Sequence, residues 1–408
     1  MVLRDISEQA FKAHILEAET SFFEQSPEMA ALLTKRGHQV STLGYYADDK
    51  LVISTLVYTT PVAGGLHMGL HNGPIVTDKR YLKDFYKALQ DFAKRQKVIS
   101  LVVKPYYAYQ RYDSDGQATA SAQDDSINLL TDLGYQHSGL RQGYTSGDWY
   151  YIKDLTDISA DKLFASFSKK GKSLVKKAKT FGIKIHRLER DQLSLFKEIT
   201  SATSERREFD DKPLEYYQYL FDSFGDKAEF LVASLNFEEY LANLQASQDK
   251  LKTKIDKLKE GLAQNPHSEK KQNQLRELSS QYDTFEVRKE EARDFIDKYG
   301  HEDVPLCASL FAYMDKEAYY LFSGSYPEFN KFYAPALLQE HVMLKAIKQG
   351  ITSYNFLGIK GVFDGSDGVL RFKQNFNGYI IQTPGEFFYS PSPYKYKMIQ
   401  AIKKLLKR

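Results

Sequence analysis

Two runs of apolar residues at helical spacing, parted by a single proline, constrain this chain more than any other feature. Leu244, Leu251, Ile255, Leu258 and Leu262 recur at three-four spacing among Lys, Asp, Glu and Gln. Asn265-Pro266-His267-Ser268 interrupts the pattern, because proline lacks a backbone donor and pushes its predecessor out of the α region. Leu275, Leu278, Tyr282, Phe285, Ala292, Ile296 and Tyr299 then repeat it. The stretch Leu241–Tyr299 therefore predicts two antiparallel helices of ~30 residues, each ~45 Å long. Helices that long, polar on most faces, cannot fold back into a compact core, so the hairpin is expected to project. Such an arm within an α/β chain suits an enzyme with a large substrate. It equally suits a spacer or a dimerisation strut.

At 408 residues the chain has room for two or three domains. Its 42% hydrophobic and 14% aromatic content can fill buried cores, which excludes general disorder. Most of the 29 tyrosines and 26 phenylalanines are expected in cores or half-buried strands, and aromatics in such number also suit the lining of a groove for sugars, peptides or bases. A net charge of +3 rules out a polycation. The positive charge is nonetheless clustered. Lys169, Lys170, Lys172, Lys176, Lys177, Lys179, Lys184 and Arg187 form one group, and Lys403, Lys404, Lys407 and Arg408 another. Such patches either attract phosphate-bearing partners or an anionic membrane, or are simply solvated faces. The lone cysteine, Cys307, excludes a disulfide framework and sits in an apolar run that predicts burial. Asp5, Glu8 and Lys12 interrupt any leader-like stretch, and Pro61, Gly64, Gly65 and His67 break up the most apolar window, Leu51–Leu70. A cytosolic protein is expected, at most resting on a membrane.

The flanks of the arm read as one design written twice. Val40–Tyr46 and Leu51–Thr60 are strand-like and joined by the turn Ala47-Asp48-Asp49-Lys50, followed by a helix over Tyr81–Lys94 and a strand over Val98–Val103. After the strand Phe230–Leu235, the runs Leu306–Tyr313 and Ala318–Ser323, the helix Ala334–Lys348 and the strand Tyr354–Leu357 follow in the same order. The expectation is two α/β (α+β) units related by duplication. The first covers residues 1–150. The second covers 151–237 and 302–393, with the arm inserted at 238–301 and a closing amphipathic helix at 394–408.

Familiar catalytic machinery is missing. There is no complete phosphate loop, since Ser166 stands where the first glycine before Gly171-Lys172-Ser173 belongs. His67 and His71 lie among glycines with no carboxylate beside them, so no metal site is expected. Three constellations remain. One is Ser204-Glu205-Arg206-Arg207-Glu208-Phe209 with Lys212-Pro213-Leu214-Glu215-Tyr216-Tyr217, where the arginines either bind phosphate or form a salt-bridged helix face. The second is Tyr319-Tyr320-Leu321-Phe322-Ser323-Gly324-Ser325. The third, Phe363-Asp364-Gly365-Ser366-Asp367-Gly368 leading to Arg371-Phe372-Lys373, pairs a glycine-rich loop with a cation suited to an oxyanion.

With Tyr354-Asn355-Phe356-Leu357-Gly358, Phe332-Tyr333-Ala334-Pro335, Arg371-Phe372-Lys373 and the inserted arm, the chain resembles the Fem family end to end. These are peptidoglycan bridge-forming aminoacyltransferases, the group of FemA, FemB, FemX, MurM and MurN. Gly64-Gly65-Leu66-His67-Met68, Ser204-Glu205-Arg206-Arg207 and Asn265-Pro266-His267-Ser268-Glu269-Lys270-Lys271 are most similar to the streptococcal MurN type. The resemblance implies tandem acetyltransferase-like (GNAT) domains with an antiparallel coiled-coil arm. It implies transfer of an amino acid from aminoacyl-tRNA to the stem peptide of lipid II, at the cytoplasmic face of the membrane, with an effect on β-lactam tolerance. For the MurN type the donor would be alanyl-tRNA and the acceptor a lipid II already carrying one bridge residue. No cofactor and no metal is implied, aminoacyl-tRNA being a co-substrate. An aminoacyl ester is already activated, so neither ATP nor a covalent enzyme intermediate is required.

Carried over by position, Lys35 and Arg206 would contact the precursor's phosphates, with Tyr216 and Tyr320 lining the same cleft. Lys373 would stand beside the reacting carbonyl as the catalytic residue, and Lys172, Lys176 and Lys177 would contact tRNA or lipid. The chain departs from the family pattern at Lys104-Pro105, where many members have Asp-Pro, so no general base is assigned. Three rivals stand beside this expectation: a first-residue, MurM-like transferase; an acyl-CoA transferase, although neither the Tyr81 nor the Ala334 helix opens on a glycine-rich turn; and a non-catalytic coiled-coil scaffold.

Overall fold

A computed structural model describes residues 2–207 and 210–405. Glu208 and Phe209 of the first constellation, and Lys407 and Arg408 of the tail, lie outside the described residues. The first half contributes β1 (Val2–Asp5), β2 (Gln39–Ala47), β3 (Lys50–Val62), β4 (Gly65–His71), β5 (Ile75–Val76), β6 (Val98–Lys104), β7 (Gln110–Tyr112) and β8 (Gln136–His137). The second contributes β9 (Trp149–Asp154), β10 (Lys184–Arg187), β11 (Ala228–Asn236), β12 (Asp303–Tyr313), β13 (Glu317–Ser325), β14 (Ser353–Gly358), β15 (Tyr379–Gln382) and β16 (Phe387–Tyr389).

These strands build two mixed sheets among the described residues. The first runs β1-β2-β3-β4-β6-β16-β8 with β5 beside β3, and the second β10-β11-β12-β13-β14-β9-β15-β7. The division expected at residue 150 separates the sheets except at two strands: β7 crosses into the second sheet, and β16 into the first.

The repeated design is present but shifted by one strand. Its equivalent pieces are β3, β4, the helix Leu82–Arg95 and β6 in one sheet, and β12, β13, the helix Ala334–Lys348 and β14 in the other. In each, an antiparallel hairpin precedes a helix that returns the chain parallel to the hairpin's second strand. The glycines of β4 hid it, because they read as breakers. They are there for side chains that cross the strand: a Cβ on Gly69 would meet the Tyr58 ring at 2.5 Å, and one on Gly65 would meet Ile99 at 2.7 Å.

A core shared by both sheets lies between them, with Leu56 and Ile75 from one side meeting Tyr150, Phe230 and Leu310 from the other. The second sheet's opposite face carries the helices Lys169–Ala178 and Ala334–Lys348. The helix Leu193–Arg207 lies on β13 at Gly324, where an added Cβ would sit 2.3 Å from the Ile199 carbonyl oxygen. Backbone cannot yield as a flexible side chain would. Gly324→Ala should therefore cost about 1–3 kcal/mol of stability, read as a lowered urea midpoint.

The arm is a hairpin of the helices Phe237–Gln264 and Glu269–Tyr299. It starts four residues before the expected Leu241 because Asn236 caps it, accepting from the N–H groups of Glu238 and Glu239. Its base does not project. Phe237, Tyr240 and Leu244 belong to the second sheet's core, and Phe237 stacks on Phe295 at 4.6 Å between ring centres. Further out the apolar seam holds a polar layer: buried Lys289 donates to Gln245 (2.8 Å) and Gln248 (2.7 Å). Its charge is also met by Glu286 on its own helix at 3.1 Å, so the buried ammonium is both paired and hydrogen-bonded across the two helices.

Candidate active site

The two sheets differ where their parallel strands run. In the first, β4 and β6 stay paired from Leu66–Val98 to His71–Lys104. In the second, β13 and β14 pair only at Glu317–Ser353, Ala318–Tyr354 and Tyr319–Asn355, and then separate. Both strands are irregular at the point of parting. The register of β13 against β12 shifts between Leu310 and Phe311, and that of β14 against β9 shifts between Asn355 and Gly358. Leu357 there has φ of 59°, a conformation rare for a branched side chain. An extra residue in each strand bends it, and the two bends open a wedge.

Tyr320 stands in that wedge, stacked on Phe311 at 5.5 Å and edge-on to Phe356 at 6.5 Å. On the β14 side, Lys373 ends the short helix Gly368–Lys373. It is 3% exposed, and its Nζ donates to the carbonyl oxygens of Leu357 (3.0 Å) and Gly358 (2.6 Å). Burial lowers its pKa to about 7, only partly offset by the Asp367 charge. Instead of emerging into open solvent, the ammonium is held one carbonyl layer behind the strand edge.

Asp367 fixes that placement. Its carboxylate accepts from the N–H groups of Val369 (2.9 Å), Leu370 (3.2 Å) and Lys360 (2.9 Å), and from the Tyr144 hydroxyl (2.6 Å). Burial would raise its pKa, but these donors outweigh burial and hold it below the ordinary carboxylate value. The glycine-rich loop is thus an anchor for the lysine's helix.

The FemAB family model matches residues 6–404. The chain belongs to the FemAB family. Aminoacyltransferase FemA of Staphylococcus aureus, strain bovine RF122 / ET3-1, is 26% identical over 419 residues, covering 100% of both chains, and the protein of that name from strain N315 is equally similar. The crystal structure of FemX superposes with a TM-score of 0.75 at 20% identity, covering 100% of both chains. A tandem GNAT protein from the clavulanic acid biosynthesis pathway gives 0.50 at 9% identity, over 95% of this chain and 98% of that one. The fold is that of tandem GNAT proteins.

In this FemAB member the other expected site residues fall into three places. Arg206 and Arg207 end the helix Leu193–Arg207, whose Thr203 accepts from the Ser325 N–H at 2.9 Å. That contact brings the paired arginines to the end of β13, and Arg207 is close enough to lower the Tyr320 pKa, which burial raises. Tyr216 packs on Phe322 of β13 at 6.0 Å and carries the Arg36 guanidinium over its ring at 5.3 Å. Lys35 lies beside this group, 3.6 Å from Asp222, a carboxylate it shares with Arg190. Lys35, Arg36 and Tyr216 thus form one group, and Arg206 and Arg207 lie at the end of the same strand, β13, on which Tyr216 packs.

The basic run on the helix Lys169–Ala178 is less uniform than its sequence. Lys179 pairs with Glu340, and Lys184 with Glu239 and Asp303, which takes both out of any patch. Lys172 reaches the Ala165 carbonyl at 3.5 Å, whereas Lys176 is exposed and Lys177 lies over the Tyr333 ring. This helix presses on the segment after Lys373. A Cβ on Gly171 would sit 1.9 Å from the Asn375 carbonyl oxygen.

Across the shared core, Tyr150 of β9 links the wedge to the first sheet. Its register partner is Gly358, and its hydroxyl donates to Asn72 at 3.2 Å. Asn72 in turn donates to Glu24 at 2.5 Å. Burial raises the Glu24 pKa, while Asn72 and Lys104 lower it in part. Lys104 itself pairs with Glu386 at 3.3 Å. Around Lys104, carboxylates thus come from distant parts of the chain, Glu24 and Glu386. Glu24 gave no local signal, because Phe22-Phe23-Glu24-Gln25 reads as an ordinary helix-flanking segment.

Proposed function

We propose that this protein is the aminoacyltransferase that adds L-alanine, as the second bridge residue, to lipid II already carrying one bridge amino acid. Membership of the FemAB family and the printed function of its FemA relatives support transfer of an aminoacyl group. The observation that carries the reading is the β13–β14 wedge with a buried lysine ammonium bonded to the Leu357 and Gly358 carbonyls on its β14 side. A flat ester carbonyl fits between parted strands, where amine attack makes it tetrahedral. The acceptor ammonium first loses one proton to solvent. The new C–N bond then forms, the amine's second proton leaves, and the bond to the tRNA ribose oxygen breaks. That oxygen takes one proton, so one proton is released per transfer. A lysine that releases its proton near pH 7 is matched to giving the ribose oxygen its proton and to stabilising the developing negative charge. Lys35, Arg206 and Tyr216 suit the pyrophosphate and sugar of the acceptor, with the guanidinium binding phosphate oxygens in pairs. Exposed Lys176, with Lys172 and Lys177, suits the tRNA backbone.

Glu24, across the shared core from the wedge, suits a cationic group elsewhere on the acceptor's peptide. Glu24→Gln should raise KM for the lipid-linked acceptor roughly tenfold with kcat little changed, since one charge-assisted hydrogen bond is removed.

The reading is tested with purified protein, alanyl-tRNA and lipid II bearing either no bridge residue or one. Product from the one-residue acceptor is expected, and none from free alanine with uncharged tRNA. Preference for the unbranched acceptor would instead make this the first-residue enzyme. No transfer to either acceptor would leave the scaffold reading.

A further inference from the structure

The helix Pro393–Leu405 has two apolar faces where a surface helix of a globular protein has one. One is used: Ile399 fills the space above Gly64, whose Cβ would meet it at 2.4 Å, and Tyr396 packs on Phe388 at 4.8 Å. The other is open. Tyr394, Met398, Ile402 and Leu405 are 90%, 58%, 46% and 82% exposed. Their spacing of four, four and three residues puts them on a single stripe, about 80° wide at 100° per residue.

Charge flanks this stripe on both sides. Lys395 borders one edge, Lys397 and Lys404 the other, and all three are exposed. No Asp or Glu follows Glu386 in the sequence, and none of these lysines is ion-paired among the described residues. An apolar ridge between cations, topped by a tyrosine, has the composition of a helix that lies in the interface of a negatively charged bilayer. RNA would satisfy the lysines but leave Met398, Ile402 and Leu405 in water. A bilayer accepts both.

We propose that this helix docks the protein on an anionic phospholipid surface, with Met398, Ile402 and Leu405 inserted and the lysines at headgroup level. The helix sits at the Gly65 and Ile99 end of β4 and β6, at the opposite end of these strands from His71 and Lys104. Among the described residues no helix is long and apolar enough to cross a membrane, so this is a surface attachment.

The full chain is floated with vesicles of phosphatidylcholine alone or mixed equally with phosphatidylglycerol, without tRNA or peptide, so the outcome is independent of the transferase reading. Binding to the mixed vesicles is expected, weakening in high salt and falling at least about tenfold in the triple variant Met398→Ser, Ile402→Ser, Leu405→Ser. All three positions are exposed, so unchanged circular dichroism and Tm are expected for that variant. Equal binding by the variant, or no preference for the anionic vesicles, overturns the proposal. So does a tRNA complex or a self-associated dimer that the variant abolishes while vesicles never bind.

Discussion

Lys373→Met is expected to lower kcat for aminoacyl transfer about 10²–10³-fold, with KM for both substrates little changed and Tm within a few degrees of the parent. Methionine keeps the length and apolar stem of lysine but cannot donate, so the Leu357 and Gly358 carbonyls lose their shared partner. The effect belongs to the transition state because the negative charge that the ammonium meets exists only there. The pH dependence carries the same signature. The protonated form is full below about 7 and lost above it, so the rate should carry an alkaline limb near that pH. Stability should move oppositely. Between about 7 and the ordinary 10.5 the unfolded chain holds a proton that the folded chain has lost, so stability rises with pH across that window. The methionine variant should lose both features. A pure scaffold would show no change in transfer, having none to lose.

Asp367→Ala is expected to destabilise the protein by about 2–4 kcal/mol and to abolish most activity. Four donors lose their acceptor at once: the cap N–H groups of Val369 and Leu370, the Lys360 N–H and the Tyr144 hydroxyl. Asp367→Asn separates charge from geometry. Asparagine still caps a helix well, so most stability should return. The nearby negative charge that raises the Lys373 pKa is gone, so the alkaline limb of the rate should move to lower pH. A variant with parental pH dependence would reduce Asp367 to a merely structural cap.

The regular parts of this fold were legible because periodicity and turn chemistry write them locally. The hairpin turn at Asp48 and Asp49 adopts positive φ at both residues, and Pro266 parts the helices of the arm as expected. What escaped depends on contacts between distant segments. The strand Gly65–His71 was hidden by glycines needed only because Tyr58 and Ile99 lean across them. Of the candidate site, the Asp367–Lys373 constellation could be found from its glycines and its cation. The wedge could not, because it arises from bulges in β13 and β14 that no local pattern encodes. Asn72 and Glu24 meet only when the chain has folded, 48 residues apart. The burial of Lys373 was equally illegible, since its neighbours Arg371 and Lys360 suggest a surface.

In the proposed reaction an amine consumes the tRNA-borne ester directly, in the wedge beside Lys373. Rapid mixing of enzyme, alanyl-tRNA labelled in its amino acid and one-residue lipid II, quenched over a single turnover, tests it most directly. Label is expected to leave tRNA and enter the lipid-linked peptide at one rate, with none on the protein, and Lys373→Met is expected to slow both together. Label accumulating covalently on the enzyme, or a Lys373→Met variant that transfers at the parental rate, would contradict it.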